Sequence, residues 1–170
     1  MAASCGLTRL PLEGEKNGPP EEPADHALGR SRGGFGTKLH LVCDGLGWII
    51  AVLVSPGQQN ECTQFDALME RVFSLPITGD LQQLTGDKGY SSGAIREWLR
   101  ESQIEDVIAR RSNEHHDGNF DSECYRRRNI VERTIGWLKE FRRIATRYEK
   151  LATHYTAMIE LAIIIQYTTY

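Results

Sequence analysis

Polar and apolar residues alternate from Thr37 to Cys43, and Leu39, Leu41 and Cys43 fall on one side. A period of two marks a strand with one face covered. Asp44-Gly45-Leu46-Gly47 has turn chemistry, and Trp48 to Val54 is an unbroken β-prone run. Together they predict a β-hairpin whose second strand is covered on both faces, closed by Ser55-Pro56-Gly57. The period then lengthens. Phe65, Leu68, Met69 and Val72 recur at helical spacing and predict a helix over residues 62–73, with Asn60 or Thr63 as cap. A short strand near residues 83–85 runs into Gly86-Asp87-Lys88-Gly89-Tyr90. A helix over 92–101 turns Ile95, Trp98 and Leu99 inward, residues 106–109 form a short strand, and 110–122 are polar and loop-like. One long helix is predicted over 123–144. A last one over 150–167 has an apolar stripe of Leu151, Tyr155, Met158, Leu161, Ala162 and Ile165. The layout is mixed α/β, one sheet with helices against it.

Residues 1–29 contain Gly18-Pro19-Pro20-Glu21-Glu22-Pro23 and few large apolar side chains, so they are expected to be poorly ordered, leaving 30–170 as the domain. The hydrophobic share of 40% suits a water-soluble globular domain, and no run of 18 apolar residues could cross a membrane. Cys5, Cys43, Cys62 and Cys124 form no C-x-x-C pair, which argues against a zinc site. With no export signal, a reducing cytoplasm is expected. The net charge of −3 says little, but its distribution says more: residues 126–150 carry nine Lys/Arg against three Asp/Glu. Such a segment is either a solvated helix face or a surface that meets backbone phosphates.

Three places could carry chemistry. Asp87 follows a short strand, at the sheet edge where open α/β sheets bind ligands, and its carboxylate suits a hard cation. The plain alternative is a loop aspartate capping the next helix. On the long helix, Tyr125, Arg128, Glu132 and Lys139 share an arc of roughly 60° at about 100° per residue. Ile130, Trp137 and Phe141 lie on the other side. The plain alternative there is a surface pair between Arg128 and Glu132. Thirdly, residues 29–38, with Arg30 and Arg32, are glycine-rich and basic, but their order is not that of a P-loop and a flexible turn fits them better. His40 within a strand is expected to be a structural histidine, and His115-His116-Asp117 is a weak cluster in a polar loop.

Taken together these segments resemble the insertion-sequence DDE transposases. The resemblance rests on the segments at 29–47, 55–58 and 86–90, and on Tyr125, Arg128, Glu132 and Lys139 in the pattern Y-x2-R-x3-E-x6-K. It implies an RNase H-like fold, with Asp87 as the second catalytic carboxylate and Glu132 as the third. Both would be ligands of two divalent ions, Mg²⁺ or Mn²⁺. It implies DNA contacts for Tyr125, Arg128 and Lys139. Arg142, Arg143, Arg30 and Arg32 are the further basic candidates. DNA, as transposon ends and target, is the partner expected, with self-association or the product of an upstream reading frame as another, and a nucleoid location when bound.

One departure matters. The family's first aspartate lies on an opening strand upstream of Gly29, where this chain has only Asp25, in a Pro-Ala-Asp-His context. Asp44 sits at the hairpin turn. Neither is a good substitute, so the first carboxylate and the first strand are expected to be missing, and the chain to be inactive alone. The alternatives are a non-catalytic DNA-binding regulator or a decayed remnant. A metal nuclease of similar fold is a third reading, disfavoured by the complete helix pattern.

Overall fold

The computed structural model describes residues 2–11, 25–31, 34–76, 81–112 and 122–169; for 2–11, 122 and 124 it gives the backbone alone. The described strands are β1 (Ala2–Pro11), β2 (Gly29–Ser31), β3 (Gly34–Asp44), β4 (Ile49–Pro56), β5 (Gln83–Gly86) and β6 (Glu105–Ile108), all in one sheet. β1 lies at its centre. It runs antiparallel to β3, from Ala3 opposite Asp44 to Pro11 opposite Gly36, and parallel to β5, from Ala2 opposite Gln83 to Cys5 opposite Gly86. β4 and the short β2 pair with β3 on its outer edge, and β6 continues the parallel half beyond β5. Three long antiparallel strands followed by two parallel ones, with the first strand central, is the mixed RNase H-like sheet that the resemblance implies.

The opening strand is therefore present, contrary to the sequence expectation, and residues 2–11 are not without regular structure. Ala-Ala-Ser-Cys-Gly is a poor strand former by composition. Pairing along both edges supplies what propensity does not. The expected flexible turn at residues 29–38 is likewise a tight β2–β3 pairing, with Ser31 opposite Gly34; Arg32 lies outside the described residues. So does the cluster His115-His116-Asp117.

Period-two alternation divides the sheet into two faces. Leu39, Leu41, Cys43, Ile49 and Val52 pack with α4 (Asn129–Leu138), α5 (Arg142–Ala145) and α6 (Ala152–Thr169). Val42, Ala51, Leu84 and Ile108 pack with α1 (Phe65–Phe73) and α2 (Gly93–Glu101) on the other face. Asn60 caps the 3-10 turn Glu61–Gln64 before α1, and the Ser92 hydroxyl accepts from the Ile95 amide at the start of α2.

The long helix is not continuous. α3 (Ser122–Arg126) joins α4 through i→i−3 bonds, Arg128 N to Tyr125 O and Val131 N to Arg128 O, and the chain leaves α4 at Phe141, whose φ −78° and ψ 107° are extended. Packing explains the second break. Leu138 and Ile144 are both buried, yet six residues along a straight helix set them about 120° apart around the axis. Turning at Phe141 lets both reach the core. In α6 the buried residues are Ala152, Tyr155, Ile159 and Ala162, whereas Leu161 and Ile165 of the expected stripe are exposed. Polar and apolar residues are not segregated to opposite sides of this helix, so periodicity could not select its inner side.

Candidate functional site

Asp87 emerges directly from β5 and opens the 3-10 turn Lys88–Tyr90, with extended backbone (φ −71°, ψ 156°) and no side-chain capping bond. The capping alternative is thus not what its carboxylate does. The turn is held from several directions. Tyr90 is fully buried, with its hydroxyl 2.8 Å from His40 Nδ1, and His40 Nε2 is 2.8 Å from Ser55 Oγ. Arg111 donates to Lys88 O and Gly89 O, both at 3.2 Å, and the Cys62 thiol donates to Gly89 O at 3.0 Å. Two glycines fit tight places: a Cβ at Gly86 would stand 2.9 Å from Ile108 Cγ1, and one at Gly89 3.0 Å from Glu61 Cγ. Asp87 therefore sits on a braced loop rather than a loose one.

Three members of the helix pattern come together. The Arg128 guanidinium lies 5.4 Å from the Tyr125 ring centroid and pairs with Glu132 Oε1 at 2.8 Å. Glu132 is largely exposed, while Val131, Thr134, Ile135 and Leu138 take the inner side of α4. Ile130, Trp137 and Phe141, expected inside, only flank that core. Lys139 is exposed at the end of α4, Arg142 is exposed on α5, and Arg143 pairs with Glu149 at 3.2 Å. Arg30 is exposed on β2, opposite Phe35.

Asp87 and α4 belong to the same face of the sheet. Leu84 packs with α1 and α2, so Thr85 and, continuing the alternation past Gly86, Asp87 fall on the other side of the sheet, the side that α4 covers. The cross-strand partners agree: Ser4 pairs with both Thr85 and Cys43, and Cys43 is in the core beneath α4. Continuing the Cys5–Gly86 register by one residue sets Gly6 level with Asp87. β1 contains no Asp or Glu at any position. The two upstream alternatives have other work. Asp44 Oδ1 accepts from the amides of Leu46 (2.8 Å) and Trp48 (2.9 Å), and Asp25 lies beside α6, where its carbonyl accepts from Ala152 N at 3.1 Å.

Against this geometry, the family model for the transposase DDE domain matches residues 8–166. The chain belongs to the DDE transposase family. Its relatives include the protein assigned as transposase of insertion sequence element IS402 in Burkholderia cepacia, 35% identical over 133 residues, which cover 74% of this chain and 60% of the relative. This transposase-family chain thus spans three fifths of that protein's length. The protein assigned as transposase of IS6501 in Brucella ovis is 27% identical over 128 residues, covering 74% of the chain and 93% of the relative. Among solved structures, the piggyBac transposase synaptic complex with hairpin DNA aligns at TM-score 0.43 and 18% identity over 67% of this chain and 24% of that one. The Mos1 strand transfer complex aligns at 0.40 and 17%, over 66% and 35%.

DDE chemistry calls for carboxylates from separate elements converging on two divalent ions. Here Asp87 follows β5, Glu132 lies on α4, and β1, between β5 and β3, carries no acidic residue. Among the described residues no three His, Cys, Asp or Glu side chains group as metal donors. Sequence reasoning also missed Arg147, one of the nine cations counted in 126–150. It is 1% exposed, bonded to Thr37 Oγ1 (2.5 Å), Glu149 O (2.8 Å) and Lys150 O (3.1 Å) and set over the Tyr155 ring, so it contributes to the core and not to a basic surface. Nothing in its local pattern distinguishes it from its exposed neighbours.

Proposed function

We propose that this chain is the catalytic domain of an insertion-sequence transposase that binds DNA ends but carries an incomplete carboxylate set, so that the isolated chain cuts and joins DNA weakly or not at all. The observation that carries this reading is a strand β1 without an acidic residue beside Asp87, on the face of the sheet that α4 covers. When bound in a complete site, Mg²⁺ or Mn²⁺ would activate the attacking oxygen and stabilise the leaving one, with Asp87 and Glu132 as two of the ligands.

What its own side chains do is hold and orient. Arg128, set between the Tyr125 ring and the Glu132 carboxylate, fixes the direction of that carboxylate. Arg126, Arg127, Lys139 and Arg142, exposed along α3 to α5, neutralise backbone phosphates. The missing acid also favours a second reading, a DNA-binding regulator that occupies ends without cutting them.

The test is binding and nicking of duplex carrying the element's end sequence, with Mn²⁺ present. If about six phosphates are met, affinity falls around a thousandfold between 50 and 200 mM salt, with no accumulation of cut strands. A flat salt response would remove the DNA-binding reading, and robust cutting by the isolated chain would remove the incomplete-site reading.

A further inference from the structure

β5 loses its neighbours one residue before the acid. Its pairing with β1 ends at Cys5 opposite Gly86, and its pairing with β6 ends at Gly86 opposite Ile108. Asp87 is thus the first residue beyond the ladder on both sides, and the place of its carboxylate depends on how the turn Lys88–Tyr90 is held. Inside the turn, Asp87 O accepts from Tyr90 N at 2.9 Å and Lys88 O from Ser91 N at 3.1 Å. These bonds give the turn its shape but do not attach it to the sheet. One attachment is internal: Tyr90 and Cys62 pack in the cluster formed with α1 and α2. The other is a single side chain from the parallel half of the sheet. Arg111, half-buried and three residues beyond the end of β6, sends Nε to Lys88 O and Nη2 to Gly89 O, both at 3.2 Å.

We propose that Arg111 is a positioning residue for Asp87, its guanidinium standing in for the strand pairing that stops at Gly86. A planar fork with fixed donor spacing meets two successive carbonyls at once, which the single ammonium of a lysine does not. Both oxygens belong to the two residues that follow Asp87, so fixing them limits rotation of the main chain beside the acid. The bonds go to peptide oxygens only. Asp87 makes no capping bond, and no ion pair joins it to Arg111 among the described residues, so its carboxylate is oriented without being neutralised. That is what a metal-binding carboxylate needs from its surroundings: a support that fixes direction and leaves the oxygens to the ion. It also explains why a basic residue so near the sheet edge spends its donors on the main chain. Residues 110–122 read as a polar loop by sequence, and nothing local marks Arg111 out from Arg110. The inference rests on the reading of Asp87 as a metal ligand and adds the residue that holds it in place.

Amide NMR spectra of the metal-free chain read the turn directly. Arg111→Ala should broaden or split the signals of Lys88, Gly89 and Tyr90, while the rest of the spectrum and the denaturant midpoint stay close to wild type. Arg111→Lys keeps the charge but loses the fork, and should behave like the alanine variant. Guanidinium ion at low, non-denaturing concentration should sharpen the turn signals of Arg111→Ala, and sodium ion at equal ionic strength should not. Mn²⁺ then reports on the carboxylate: paramagnetic broadening centred on Asp87 should need about tenfold more metal in both variants. Wild-type turn signals in Arg111→Ala would overturn the proposal. So would full retention in Arg111→Lys, which would reduce the residue to a charge, or a midpoint that falls in step with the turn, which would make it a part of the general fold. A turn loosened by both substitutions in a chain whose wild-type form shows no Mn²⁺ broadening at Asp87 would support the positioning role and remove the metal-ligand reading instead.

Discussion

At His40 a strand residue turns away from solvent into two hydroxyl groups. With Tyr90 Oη and Ser55 Oγ each at 2.8 Å, one ring nitrogen donates and the other accepts, and a neutral imidazole satisfies both. Burial lowers its pKa to about 4; nearby Glu61 acts the other way, and Lys38 adds to the lowering. The consequence for stability has a definite sign. Below about pH 6.5 the unfolded chain takes up a proton that the folded ring refuses until about pH 4. Stability is therefore full above pH 6.5 and declines as pH falls through that window, by on the order of 3 kcal/mol. Denaturant midpoints measured from pH 7.5 to 4 should show the decline, and His40→Gln should flatten it. An unchanged slope in the variant would assign the acid sensitivity elsewhere. Because Tyr90 ends the turn that carries Asp87, this histidine also anchors the candidate site from the opposite face of the sheet.

Between α5 and α6 the chain closes on a buried cation. Arg147 has no carboxylate ion-paired to it among the described residues, and burial pulls its pKa below the usual guanidinium value. A hydroxyl, two carbonyls and an aromatic face compensate it, tying this segment to Thr37 on β3. Truncating it removes the donors while leaving those acceptors buried. Arg147→Ala should therefore cost about 3 kcal/mol or more in denaturant unfolding. Tyr155→Phe, which loses only the bond from its hydroxyl to Ile144 O at 2.9 Å, should cost about 1 kcal/mol. Equal losses would mean that the arginine is not the organising group. The same junction accounts for the broken helix. Its amphipathic pattern was readable through Leu138, but the turn at Phe141 answers the need to bury Ile144, which no local period encodes.

For the molecule as a whole, the position of β1 matters most. It stands between β3 and β5, so its register sets which residue lies beside Asp87. That residue is Gly6, on the phase of the strand that faces α4. Gly6→Asp should tighten Mn²⁺ binding about tenfold or more, read by calorimetry or by paramagnetic broadening of amides near Asp87. Cys5→Asp, in the opposite phase, should not. If the two behaved alike, the register of β1 against β5 would not govern the site.

The sequence alone determined the order of elements from β3 to β6, the two-faced hairpin, the acid after β5 and the grouping of Tyr125, Arg128 and Glu132, because each is written in local period or short-range spacing. Only the tertiary structure decided that an alanine- and glycine-bearing segment becomes the central strand, that one cation among the nine of residues 126–150 is internal, and which side of α6 is buried. Those outcomes depend on partners distant in sequence. Pairing along two edges can impose a strand on weak formers, and burial can select a residue that looks like its neighbours.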